Sequence, residues 1–177
     1  MDKITQSHEF GHYLNITPNT DNDTFMLMGA GWSQLDQNYS AQVTSKRYIN
    51  DKSATKRISS YDFSAPYSTD LIRTKETVAF IYNIAVNQLT GEDAETDYIM
   101  VELDNPTAEG SKSFVAYKRR VAVEVSGIAS GDGDAVISGN LQGIGDPIKG
   151  TATIGAGTVT FVPDEAAAEQ QHKEDKT

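Results

Sequence analysis

Only one stretch of this chain carries a clear helical period, and that limits the folds open to it. Val78, Ile81, Tyr82, Ala85 and Leu89 recur at i, i+3, i+4, i+7 and i+11, one stripe of a 3.6-residue repeat. Thr74 is placed to cap the first turn, and Glu76 lies where the helix dipole favours a negative charge. Gly91 follows the last periodic residue and suits the left-handed C-terminal position. The spacing predicts a helix from Thr74 to Gly91. Phe80 and Ile84, four apart, form a second apolar pair on its back. Either a long loop covers that back face, or another subunit does.

Everything around this helix reads as short strands. Phe10, Tyr13, Leu14 and Ile16 mark a first strand, stopped by Thr17-Pro18-Asn19, because proline cannot donate to a ladder. A second runs from Thr24 to Met28 and ends at Gly29-Ala30-Gly31. Trp32, the one tryptophan, follows as a core or seam anchor. After the helix, Tyr98 to Leu103 alternates, and so does the longest candidate, Phe114 to Val125. Lys118-Arg119-Arg120 within it reads as a solvated strand edge, where charge discourages stray pairing. Ala135 to Gly139, Ile148 to Ile154 and Thr158 to Val162 complete the set, with Gly155-Ala156-Gly157 as a hairpin turn. Many short strands and one helix indicate a mainly β fold, a sandwich or barrel with a single flanking α-helix. At 177 residues the chain has room for one core, spanning 1–163. From Asp164 to Thr177 no apolar anchor remains, and the composition is that of a mobile acidic tail.

Residues 36–70 stand apart. They are polar but carry Tyr39, Tyr48, Tyr61 and Tyr67. Ala41 to Ile49 and Lys56 to Phe63 can pair as a long hairpin across Asn50-Asp51-Lys52-Ser53. Such a hairpin has little apolar surface to bury against its own domain. It is a floppy insertion or a docking element for a neighbouring chain, and tyrosine, apolar with a polar tip, suits the second. The candidate interface residues are therefore Phe80 and Ile84 on the helix, with Tyr48, Ile49, Tyr61, Phe63 and Tyr67 in the insertion.

The chemistry-like motifs do not assemble into a site. His8-Glu9-Phe10-Gly11-His12 spells the zinc-protease H-E-x-x-H, but that chemistry needs both histidines on one helical face and a third ligand. The extended pattern would require Gly at Asn15 and His at Pro18. On a strand His8 and His12 lie about 13 Å apart, too far for one zinc with bonds of about 2 Å. Gly131-Asp132-Gly133-Asp134 resembles a calcium-loop fragment without its distal glutamate and reads as a plain turn. Asn22 and Asn38 open glycosylation sequons that matter only in a secreted chain. We expect no catalytic residue, no metal site and no cofactor. Cysteine is absent, which removes disulfides, thiolate zinc sites and cysteine nucleophiles. The N-terminal residues lack the apolar run of a signal peptide, and no stretch is long enough to span a membrane. A formal charge of -10 opposes electrostatic binding to nucleic acid or anionic lipid, though not a surface past which DNA slides.

Several separated segments, in one order over residues 10–163, resemble the major tail tube proteins of long-tailed (siphovirus-type) phages of Gram-positive bacteria. They are Tyr13-Leu14-Asn15-Ile16-Thr17-Pro18, Leu27-Met28-Gly29-Ala30-Gly31-Trp32, Tyr48-Ile49-Asn50-Asp51 and the helix ending Gln88-Leu89-Thr90-Gly91 with Asp97-Tyr98 after it. Val121-Ala122-Val123-Glu124-Val125, Gly139-Asn140-Leu141 and Gly145-Asp146-Pro147-Ile148-Lys149-Gly150-Thr151 complete the series. The resemblance implies a β-sandwich with a flanking helix, shared with the tube protein of type VI secretion. It implies hexameric rings, closed by strands from each subunit and stacked into a tube, with a hairpin reaching a neighbouring ring. The implied partners are further copies of the chain and the tape measure, tail terminator and distal tail proteins. DNA would pass through an acidic lumen without sequence-specific binding. The implied location is the virion tail, and the host cytoplasm during assembly. The alternative is a monomeric β-sandwich module binding carbohydrate or a receptor on a virion or cell surface, with the Tyr-rich region as its platform.

Overall fold

The structure, a computed structural model, describes residues 4–131 and 133–164. Its strands are β1 (Phe10–Asn15), β2 (Phe25–Leu27), β3 (Trp32–Leu35), β4 (Asn38–Lys46), β5 (Thr55–Asp70), β6 (Glu95–Pro106), β7 (Ser113–Gly131), β8 (Asp134–Ile154) and β9 (Thr158–Pro163). Among the described residues the one α-helix, α1, is Glu76–Asn87, and short 3-10 turns cover Ser7–Glu9 and Gly91–Ala94. All pairings are antiparallel, in the order β3-β5-β8-β7-β6-β1-β2-β9. β9 also pairs with β8, so six strands close into a barrel while β5, with β3 and β4 beside it, branches off. The mainly β architecture with one flanking helix is the one expected from the sequence.

The branch is possible because β8 is a single strand of 21 residues. Its first half, Val136 to Gln142, pairs with β5, and its second half, Gly150 to Ile154, pairs with β9. β7 accompanies it along the whole length. This joins the two segments read as separate short strands. Between Ile144 and Ile148 the ladder skips, leaving Arg119 opposite Gly145-Asp146-Pro147, where Gly145 takes φ +68°. A bulge there accommodates a proline that an unbroken ladder would not. Gly155-Ala156-Gly157 does turn β8 into β9, with Gly157 at φ +84°. The Gly131–Asp134 turn lies partly, and the tail beyond Asp164 wholly, outside the described residues.

Two cores follow from this topology. Tyr13, Phe25, Ile99, Val101, Ala116, Ala152 and Val159 fill the barrel. Beneath the helix lie Leu14, Phe63, Tyr67, Val78, Ile81, Ile84, Tyr98, Val121, Ile137 and Leu141, with Trp32 packed against them. The helix differs from its sequence reading at three points. The N-cap is Lys75, which makes no side-chain cap, and not Thr74. The left-handed residue that ends it is Gln88 (φ 50°), while Gly91 opens the next 3-10 turn. The buried face is Thr77, Val78, Ile81 and Ile84, so Ile84 belongs to the subunit core and Ala85 sits at its margin.

Lys118-Arg119-Arg120 is likewise not on an edge, since β7 is paired on both sides. Lys118 lies 3.6 Å from Asp97, and Arg120 lies 3.4 Å from Glu95 and 3.7 Å from Asp97. Arg119 stacks on Phe63 at 4.4 Å.

Candidate assembly interface

β4 and the first half of β5 form an arm. The pairing runs from Asn38 opposite Ser64 to Lys46 opposite Thr55. Every residue of β4 is exposed, as are the first eight of β5. The hairpin expected between Ala41 and Phe63 is therefore present, but its root is not free. Phe63 is 6 % exposed and Tyr67 2 %, both within the core beneath the helix. β5 alternates, and from Phe63 onward one of its faces turns into the domain.

Cross-strand partners share a face of a ribbon. Tyr39 faces Phe63, Ala41 faces Tyr61, and after a bulge at Gln42/Val43, Val43 faces Ile58. These pairs make an apolar stripe along one side of the arm, while Ser40–Asp62, Gln42–Ser60 and Thr44–Arg57 make the other side polar. Beyond Phe63 the stripe has no cover: Tyr39, Val43, Ile58 and Tyr61 are all about half exposed or more. At the tip Tyr48 is exposed and Ile49 fully so. The Asp51 amide donates to the Tyr48 carbonyl at 3.1 Å, and the Arg47 Nε to the Asp51 carbonyl at 3.0 Å, which holds Ile49 at the apex.

Of the seven residues singled out from the sequence, Tyr48, Ile49 and Tyr61 lie together on this uncovered arm. Phe63, Tyr67 and Ile84 are internal, and Phe80 is half-buried against the core under the helix. The candidate interface left out Val43 and Ile58, and Tyr39 stood only among the tyrosines of the region. Register supplies them, and a bulge hides the alternation of Ile58 with Tyr61.

Beside the root of the arm is a cleft of about 530 Å³ lined by Ser7, Phe10, His12, Leu35, Asp36, Gln37, Tyr39 and Met100. A hydrogen-bond chain runs from its wall into the core. The Tyr39 hydroxyl donates to Gln37 Oε1 at 2.5 Å, and Gln37 Nε2 donates to the Tyr98 hydroxyl at 3.1 Å. The Tyr98 hydroxyl lies 2.6 Å from His12 Nδ1. Burial lowers the His12 pKa and so favours the neutral imidazole. Burial first, then the nearby Tyr39, raises the Tyr98 pKa and keeps it a donor. The H-E-x-x-H letters thus fall on a 3-10 turn and a strand, and His12 is engaged with a tyrosine.

No helix among the described residues is long and apolar enough to cross a membrane. No protein-family model matches the chain, and no curated protein matches it either.

Proposed function

We propose that this chain is a structural subunit of a phage tail tube, assembling as hexameric rings stacked around a lumen that conducts DNA. The uncovered apolar stripe of the arm carries the reading. A two-stranded ribbon is marginal by itself in water and gains stability by laying an apolar face on a partner. The closed barrel with one helix agrees with the architecture that the sequence resemblance implies. The overall charge of -10 suits a channel past which DNA must slide rather than stick. Contacts with tape measure, tail terminator and distal tail proteins belong to the same proposal, as does a role that involves no catalysis.

The exposed tyrosines Tyr39, Tyr48 and Tyr61 favour one other reading, a monomeric module that binds carbohydrate or a receptor through the arm. Negative-stain microscopy of the purified protein separates the two. Rings or tubes are the expected result, and uniform single subunits across a wide concentration range would overturn the tube reading.

A further inference from the structure

We infer that the cavity at the start of α1 is a binding site for a small organic phosphate monoester. The inference is independent of the arm and of the tube reading. Met26, Leu27, Ala30 and Trp32 give the cavity an apolar wall, and residues 74–77, where the chain enters the helix, give it a polar one. At about 390 Å³ it lies within the range of small-ligand sites, about 300–1,000 Å³.

The polar wall is a set of donors. A helix leaves its first amides without carbonyl partners. Here the Ala79 amide donates to the Lys75 carbonyl at 2.9 Å, and Lys75 supplies no side-chain cap. The amides of Glu76, Thr77 and Val78 precede that bond, at the positive end of the helix dipole. Thr77 adds an independent feature. It lines the cavity and is 2 % exposed, yet its hydroxyl has no hydrogen-bond partner among the described residues. The hydroxyl is not sealed in either, so the cavity is where it opens. A fixed donor beside uncapped amides suits a compact anion with several acceptor oxygens. Lys75, exposed on the cavity, adds a cation, and Glu76, exposed beside it, opposes that cation.

Charge and shape select the ligand class. The whole-chain charge of -10 repels long polyanions, so the anion must be small enough for these local donors to hold. A phosphate monoester brings about -1.5 to -2 charge at pH 7 and three strong acceptor oxygens, more of both than a carboxylate. Its single substituent would lie on the apolar wall. That wall is fixed in advance. The Trp32 ring packs on Tyr67 with centroids 5.6 Å apart, and the Trp32 amide donates to the Gly29 carbonyl at 3.0 Å. The Leu27 amide donates to the carbonyl of Gly157, which also lines the cavity, at 3.2 Å.

Trp32 is the one tryptophan of the chain, so its fluorescence reads the cavity directly. Titrating the purified full chain with phenyl phosphate should give a saturable change in emission, and phenol at the same concentrations should give none. Thr77→Val keeps the side-chain shape and removes the hydroxyl. It should weaken phenyl phosphate binding at least about tenfold, the loss expected of a hydrogen bond to a charged group. Lys75→Gln should weaken binding about threefold and Glu76→Gln should tighten it about threefold, as charges near a helix end do. Both positions are exposed, so these two variants decide the matter if Thr77→Val does not fold. Dimethyl phosphate, a diester like a nucleic-acid backbone, should bind at least about tenfold more weakly because it carries less charge. A change that never saturates, or binding that all three substitutions leave unaltered, would overturn the inference. Vesicles of phosphatidic acid that bind more tightly than phenyl phosphate would make the site a membrane contact, and the small-molecule inference would fall.

Discussion

The Tyr98 hydroxyl and His12 Nδ1 lie 2.6 Å apart on neighbouring strands β6 and β1, joined by a hydrogen bond. Burial disfavours the charged imidazole there.

This pair makes stability pH-dependent in one direction. The folded-state pKa of His12 is depressed below its ordinary 6.5, so the unfolded chain binds the proton first as pH falls. The full contribution of the neutral pair is present above about pH 6.5 and declines as pH falls below the unfolded value. Thermal unfolding between pH 8 and pH 5 should show a midpoint that drops on the acid side. His12→Gln should be less stable than wild type at pH 8 and should show a shallower drop. Equal slopes would mean that other groups carry the pH dependence.

Gly139 faces Tyr67 across β5 and β8, and its missing side chain is a packing requirement. A Cβ there would overlap the Glu124 carbonyl oxygen and come within 2.6 Å of the Tyr67 hydroxyl, which donates to that same carbonyl at 3.0 Å. Gly139→Ala should lower stability by about 3 kcal/mol, the upper part of the overpacking range. Gly127→Ala, with open space around its Cβ and an ordinary φ, is the control and should be within about 0.5 kcal/mol of wild type. Urea unfolding midpoints of both variants check the pair.

Ile84 is 3 % exposed, beside Val78 and Ile81 at 0 %. Ile81→Ala and Ile84→Ala should each cost about 2–5 kcal/mol, the usual range for large-to-small core changes. Ile84→Asp should leave no stable subunit, because the carboxylate would be buried without a partner. An Ile84→Asp protein that unfolds at the wild-type urea midpoint would place this residue outside the core.

The helix, the hairpin and most strand positions were legible because their periods are strong and local. What was misread turned on information that lies elsewhere in the chain. Val78 and Ile81 are compatible with either Ala85 or Ile84 as the next buried position, since both lie within a turn's reach on the same side. Only the β strands beneath the helix decide for Ile84. Gly145 and Pro147 look like strand breakers, yet β7 supplies partners on both sides of them and turns a break into a bulge. Lys118 and Arg120 look like edge charges until Glu95 and Asp97 are seen across β6. The apolar stripe of the arm was half visible as tyrosines. Its aliphatic half, Val43 and Ile58, depends on a one-residue bulge that no local pattern announces.

That stripe offers the sharpest test of assembly, because it separates folding from association within one residue. Ile58 is 56 % exposed, on the arm, opposite Val43. A carboxylate there stays in water in the lone subunit and loses its hydration only when a partner covers the stripe. Ile58→Asp should therefore unfold within about 0.5 kcal/mol of wild type, the usual range for exposed sites, and fail to assemble. Replacing residues 42–60 by a short Gly-Ser turn should act the same way, because it removes no buried residue and keeps Phe63 in the core. Sedimentation velocity at concentrations where wild type forms rings or tubes, with urea unfolding alongside, reads both properties. If Ile58→Asp unfolds the subunit, the stripe is covered from within. If it folds and still assembles, copies join through another surface.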